Sequence, residues 1–123
     1  IGRRHLRNNN SWMHNSKLLM KGKNRCTVLM SSKDAISLSI SDNQKIKIIS
    51  NVGSIELPVE ITDEIKEGVL SIPHGFGHNR KGTKIKLAEK NPGESINDLT
   101  DDFKIDKLTG NVNFSGTRVQ VKI

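Results

Sequence analysis

The sequence predicts a mainly β, barrel-like fold with one or two short helices. Three observations carry this: short stretches of alternating apolar residues, turn signals that recur between them, and one brief helical pattern. The alternation is clearest at Lys45-Ile46-Lys47-Ile48 and again at Ile55, Leu57, Val59 and Ile61. A period of two places every second side chain on one face of a strand, so each of these runs reads as half-buried.

Taken in order, residues 1–15 show neither helical nor strand periodicity. They hold three arginines, two histidines, four asparagines and Trp12, the sole tryptophan. Arginine forks and asparagine amides suit phosphate oxygens and heterocycle edges, and an indole offers an apolar platform with one N–H. A disordered basic arm is the alternative, although Trp12-Met13 within it favours burial and order. Lys17, Lys21 and Lys23 read as a solvated face around Leu18-Leu19-Met20, and Gly22 marks a turn before a strand through residues 26–30. Residues 31–40 read as a short helix capped by Ser32, with Ala35, Ile36 and Ile40 towards the core. Ser41-Asp42-Asn43 supplies a turn before the strand at Lys45, and Asn51-Val52-Gly53 supplies the next.

Pro58 falls on the face opposite Ile55, Leu57 and Val59, and its missing N–H predicts an edge strand or a bulge. Residues 62–68 are polar and turn-like, and Val69-Leu70-Ser71-Ile72 reads as a short buried strand. That strand delivers Pro73-His74-Gly75-Phe76-Gly77-His78. Gly75 and Gly77 can take positive φ and bring backbone N–H groups towards an anion, with His74 and His78 adding directed donors. A tight turn with solvent-facing imidazoles fits the same residues. Residues 79–84 form a basic excursion, and residues 86–93 carry no clear pattern. Asn97-Asp98 suits either the polar edge of a heterocycle or a local Asx turn. Val112, Phe114, Val119, Val121 and Ile123 suggest two closing strands around Gly116.

Composition narrows the function. At 123 residues and 33% hydrophobic content, the chain supports one domain with a modest core. Twenty Lys and Arg against 13 Asp and Glu give +7, which favours anionic partners such as phosphates, nucleotides or nucleic acid. Aromatics at 3%, without tyrosine, leave little for base stacking on a sheet. Cys26 is the only cysteine, so it forms no internal disulfide and no Cys/His metal spacing; in a β-favouring run it reads as a buried, inert thiol. No apolar run reaches the roughly 18 residues of a membrane span. Neither a P-loop nor a G-x-G-x-x-G is present. The start at Ile1 is read as the beginning of an excised piece of a longer protein.

Three stretches together resemble one family. The opening Gly2-Arg3-Arg4-His5-Leu6-Arg7-Asn8-Asn9-Asn10-Ser11-Trp12-Met13-His14-Asn15, the loop Pro73-His74-Gly75-Phe76-Gly77-His78, and Asn97-Asp98-Leu99-Thr100 are similar to motifs of the molybdopterin oxidoreductases of the dimethyl-sulfoxide-reductase type. They match the C-terminal domain that binds the molybdopterin dinucleotide, in its formate-dehydrogenase-like branch. The resemblance spans essentially the whole chain. Two departures stand out: Phe76 where tryptophan is common, and Asn43 where glycine is usual.

The resemblance implies a double-psi β-barrel that closes over the pterin-guanine dinucleotide of a molybdenum or tungsten centre without performing the chemistry. The implied cofactor-binding residues are Arg4, Arg7, Asn9, Ser11, Trp12 and His14 from the arm. His74, Gly75, Phe76, Gly77 and His78 form a second wall, with Asn97 and Asp98 at the heterocycle edge. No residue here is expected to ligate the metal or act catalytically. The expected partners are the remaining domains of the parent oxidoreductase, with no nucleic acid and no membrane span. The fragment alone is expected to be monomeric and inactive; the compartment stays open, with the cytoplasm favoured. Two other classes stand beside this reading. One is a basic nucleic-acid-binding β-domain, motivated by the charge. The other is a hydrolase using His74 or His78 with Asp98 as orienting partner, for which the chain offers no nucleophile elbow.

Overall fold

A computed structural model describes residues 1–112 and 114–123. The chain is mainly β, with a few short helices. Its principal sheet has four strands in the order β2-β4-β3-β6, where β2 is Val28–Met30, β3 Lys45–Ile49, β4 Ser54–Ile61 and β6 Gln120–Lys122. The hairpin β3–β4 is antiparallel, with Ile46 opposite Leu57 and Ile48 opposite Ile55. β2 joins β4 in parallel, and β6 joins the free edge of β3 antiparallel. A second, two-stranded sheet pairs β1 (Gly2–Arg3) in parallel with β5 (Ile72–Pro73). The sheets are tied where Leu29 and Ser71 exchange backbone hydrogen bonds of 2.9 and 3.1 Å.

The alternation delivers the core as expected. Ile46 and Ile48 from β3, Ile55, Leu57 and Val59 from β4, and Val28 and Met30 from β2 are all buried. Each large aliphatic side chain taken out of water in this way stabilises the fold by about 1.5–3 kcal/mol. Ile61, at the end of the same run, is only partly buried.

Pro58 is not on an edge strand, because β4 lies between β2 and β3. The other reading, a bulge, fits. Asn43 N–H donates to the Val59 carbonyl (2.8 Å) while Val59 N–H donates to the Gln44 carbonyl (2.9 Å), so two residues oppose one. Asn43 has φ 62°, the left-handed conformation that the first position of such a bulge demands and that asparagine tolerates better than most residues. β2 pairs β4 only from Val59 onwards, so its ladder does not call on the missing N–H.

The helices are shorter than the sequence suggests and differ in detail. α1 covers Lys17–Met20 and α2 covers Ser32–Ser37; single 3-10 turns occupy Trp12–Asn15, Ala88–Lys90 and Ile96–Asp98. The cap of α2 is Ser31, not Ser32: its Oγ accepts from Asp34 N–H at 3.1 Å. Ala35 is buried but Ile36 is 78% exposed. Adjacent helical residues point about 100° apart, and a two-turn helix with a narrow contact stripe cannot bury both. The C-terminal expectation of two closing strands is replaced by β6 and an isolated bridge between Ile105 and Val112; Phe114 and Ile123 are exposed.

Candidate functional site

The arm is ordered by one half-buried cation. The Arg3 guanidinium donates to the Ser71 carbonyl (2.6 Å), the Thr27 carbonyl (2.9 Å) and Thr27 Oγ1 (3.2 Å), and Thr27 Oγ1 in turn donates to Glu60 Oε2 (2.9 Å). Burial lowers the Arg3 pKa, against the pull of Glu60 and Cys26, but a guanidinium keeps its charge in proteins. The parallel pairing of β1 with β5 then sets the arm beside the His74 loop: His74 N–H donates to the Arg3 carbonyl at 3.0 Å. Sequence reasoning missed this two-residue strand, since no periodicity can show in two residues.

The second clamp is polar and tighter. Asn8, 1% exposed, donates from Nδ2 to the His74 carbonyl at 3.1 Å, and its enclosed Oδ1 has no partner among the described residues. Asn9 and Asn10 follow with φ of 41° and 58°, turning the arm back over the loop. Gly75, at φ 102°, receives the Asn10 carbonyl so closely that a Cβ there would lie 1.6 Å from its oxygen. Gly77, at φ 105°, sits the same way against Ser95: a Cβ added there would lie 2.6 Å from the Ser95 Cβ. The glycines thus serve close packing of chain on chain. The Gly77 N–H, expected to approach an anion, instead donates to the Pro92 carbonyl at 2.7 Å, as the His78 N–H does at 3.1 Å.

Between arm and loop lies a groove of about 420 Å³, bordered by Arg4, Asn10, Ser11, residues 74–78, Ser95, Ile96, Asn97 and Phe114. A neighbouring recess of about 570 Å³ shares Arg4, Asn10 and His74 with it and adds Asn8, Asn9, His5, Leu6 and Met13. Arg4, Asn9, Ser11, His74, Gly75, Phe76, Gly77, His78 and Asn97 therefore converge on one elongated polar cleft. Asn8, Asn10 and Ser95 join them unforeseen; only the asparagine-rich composition of the arm hinted at the first two.

Four expected residues stand apart. Trp12 is 81% exposed, so the arm is ordered without burying its indole. Arg7 is exposed and borders neither recess. Asp98 points its carboxylate at Arg80, with which it forms an ion pair, rather than at the groove. His14 is fully buried: its Nδ1 lies 2.8 Å from His78 Nε2, and its ring packs on Phe76 at 4.3 Å between centroids. The hydrolase arrangement accordingly lacks its carboxylate, because His78 pairs with His14 and Asp98 with Arg80.

The electrostatics follow from burial. Desolvation first, then His78 and Arg25, push His14 down to about 4. Burial lowers His78, and burial with Arg4 lowers His74. At neutral pH the imidazoles are uncharged, and Arg4 supplies the positive charge of the cleft. Cys26, wholly enclosed, has its thiol pushed up to about 11 by burial and is inert, as the sequence implied. Among the described residues no group of three His, Cys, Asp or Glu side chains could hold a metal, and no helix is long and apolar enough to cross a membrane.

A cleft with one arginine, several amide and hydroxyl groups and a glycine-paved wall fits an elongated anion that carries polar rings. The family comparison says which class of ligand this is. Residues 1–118 match the model of the molydopterin dinucleotide binding domain, and the chain belongs to that family. It is therefore a molybdopterin-dinucleotide-binding domain, a role that favours the cofactor reading and not the nucleic-acid alternative. Among solved structures, acetylene hydratase from Pelobacter acetylenicus is similar, with a TM-score of 0.63 and 20% identity over 77% of this chain; that likeness is one of fold. The match spans 14% of the hydratase chain. A search of curated proteins found no match.

Proposed function

We propose that the cleft between the arm and residues 74–78 grips the dinucleotide part of a molybdopterin guanine dinucleotide, within a larger molybdenum or tungsten oxidoreductase of the formate-dehydrogenase-like branch. Arg4 would hold the pyrophosphate as a charge-assisted donor, a contact of about 1.5–3 kcal/mol. Asn10, Ser11 and Asn97 would hold sugar and heterocycle, and Arg7, Asn9, Trp12 and Asp98 would extend the contact if the arm and Asp98 turn towards the ligand. His14 contributes from beneath the wall. The cofactor supplies the redox chemistry when bound; this chain supplies binding and orientation. The finer fold we assign is the double-psi barrel, with the remaining domains of the parent enzyme as partners and a monomeric, inactive isolated chain.

One observation carries the reading: three motifs far apart in sequence border a single groove, as Arg4, Asn10 and Ser11, residues 74–78, and Asn97. Acid extraction of the full-length enzyme tests it. The expected release is a guanine nucleotide together with molybdenum or tungsten. An enzyme that yields a different nucleotide or none, and no group-six metal, would refute the assignment.

A further inference from the structure

Phe76 is a wall shared by the groove and by a second recess of about 380 Å³. Cys26 and Phe76, buried, and Met20, packed on the core, give that recess an apolar floor. Around the floor stand donors. Arg25 is half-buried; among the described residues its enclosed Nε has no hydrogen-bond partner and its Nη2 meets the Met20 thioether at 3.3 Å. A thioether accepts weakly, so a cation is held partly out of water with little to offset the cost. Asn24 spends its Oδ1 on the Cys26 N–H at 2.9 Å, and neither its Nδ2 nor the Asn91 side chain has a partner among the described residues. Lys90 at the rim is exposed and forms no ion pair among them.

Nearby acceptors do not answer this set. Glu60 pairs with Lys23 at 3.5 Å and accepts from Thr27, Glu94 acts on Cys26, and neither carboxylate residue borders the recess. The Pro92 carbonyl, in the lining, already accepts from Gly77 and His78. Arg7, the other charge acting on Arg25, is itself a cation. What the recess lacks is a charged acceptor. A strongly hydrated bare ion gains little over an apolar floor, whereas a guanidinium fork matches the two oxygens of a carboxylate. We propose that this recess takes an aspartate or glutamate side chain flanked by apolar residues, presented by an acidic segment of the parent enzyme, with Arg25 as anchor and Lys90 and Asn91 at the rim. The match to the hydratase spans 14% of that chain, so polypeptide outside this domain is the nearest source, and a net charge of +7 complements an acidic one. The site sits behind the groove wall and is independent of how the groove reads a nucleotide.

A capped leucine–aspartate–leucine peptide, titrated into the ¹⁵N-labelled chain at low salt, tests the site through the backbone amides and the Arg25 Nε–H. The expected shifts centre on residues 23–26 and 90–93, with Arg4, Asn10 and Ser11 unmoved. The same peptide with asparagine in place of aspartate should bind about tenfold more weakly, and Arg25→Gln should cost the aspartate peptide about as much while leaving guanosine diphosphate binding unchanged. If Arg25→Gln does not fold, the exposed substitution Lys90→Gln should weaken the peptide about twofold to fivefold, and no loss there would count against the site. Inorganic phosphate that binds the recess as tightly as the peptide would overturn the acidic segment in favour of a bare anion. Shifts spread over the exposed lysines at large, or an asparagine peptide that binds equally well, would overturn the site itself. Guanosine diphosphate missing the groove would defeat the cofactor reading and leave this inference standing.

Discussion

The four-stranded sheet and the arm–loop seam hold the same chain together by opposite means. In the sheet, Ile46, Ile48, Leu57 and Val59 bury hydrocarbon whose contribution is roughly proportional to area, and each residue acts nearly alone. In the seam, half-buried Arg3 and buried Asn8, His14 and His78 are polar groups held by hydrogen bonds to other parts of the chain, and Gly75 admits the Asn10 carbonyl at close range. Buried polar groups are costly when unpaired, so the seam is cooperative where the sheet is additive. The cleft proposed to bind the dinucleotide is built on the second kind of structure.

The largest expected effect is on the sheet side. Leu57→Ala removes a 2% exposed side chain at the centre of β4 and should cost about 2–5 kcal/mol in urea unfolding. Gly75→Ala tests the seam next, because the new Cβ meets the Asn10 carbonyl and the backbone has φ 102°. A stability loss on the order of 1–3 kcal/mol together with loss of nucleotide binding is expected. A sheet variant whose cost overlaps that range, such as Ile48→Val at about 0.5–1.5 kcal/mol, should leave binding intact. If both lower affinity alike, the two regions are not separate.

Acid should strike the seam and spare the sheet. His14 is held at about 4 in the fold against its ordinary 6.5, so the unfolded chain takes up the proton first. Stability is then complete above about pH 6.5 and falls as pH drops towards 4, with His78 shifted in the same direction. Urea midpoints at pH 7.5 and pH 5 measure this, and His14→Phe should flatten the difference. The smallest stability change belongs to Arg4→Ala. Arg4 is exposed and among the described residues its side chain bonds to Asn10 alone, so unfolding should move by within about 0.5 kcal/mol. Pyrophosphate affinity should nevertheless fall roughly tenfold or more.

The same contrast explains what the sequence could reveal. Period-two runs announced β3 and β4; the missing N–H at Pro58 announced an edge strand or a bulge, and the structure has a bulge beside it, Asn43-Gln44 opposite Val59, on a strand that is not an edge. Parallel pairing of Gly2–Arg3 with Ile72–Pro73 joins residues 70 apart and leaves no local trace. The glycines of the loop were legible as special, but not their use: Gly75 admits the arm, and Gly77 and His78 spend their N–H groups on Pro92. His14 reads in sequence like any ligand-facing histidine, and only the structure shows that it is buried against Phe76 and paired with His78.

Backbone amide mapping with guanosine diphosphate on the ¹⁵N-labelled chain tests the central claim most directly. The account predicts shifts confined to Arg4, Asn10, Ser11, residues 74–78 and Asn97. Shifts centred instead on the apolar recess lined by Ile1, Leu70, Leu99 and Val119, with the arm and the His74 loop unmoved, would contradict it.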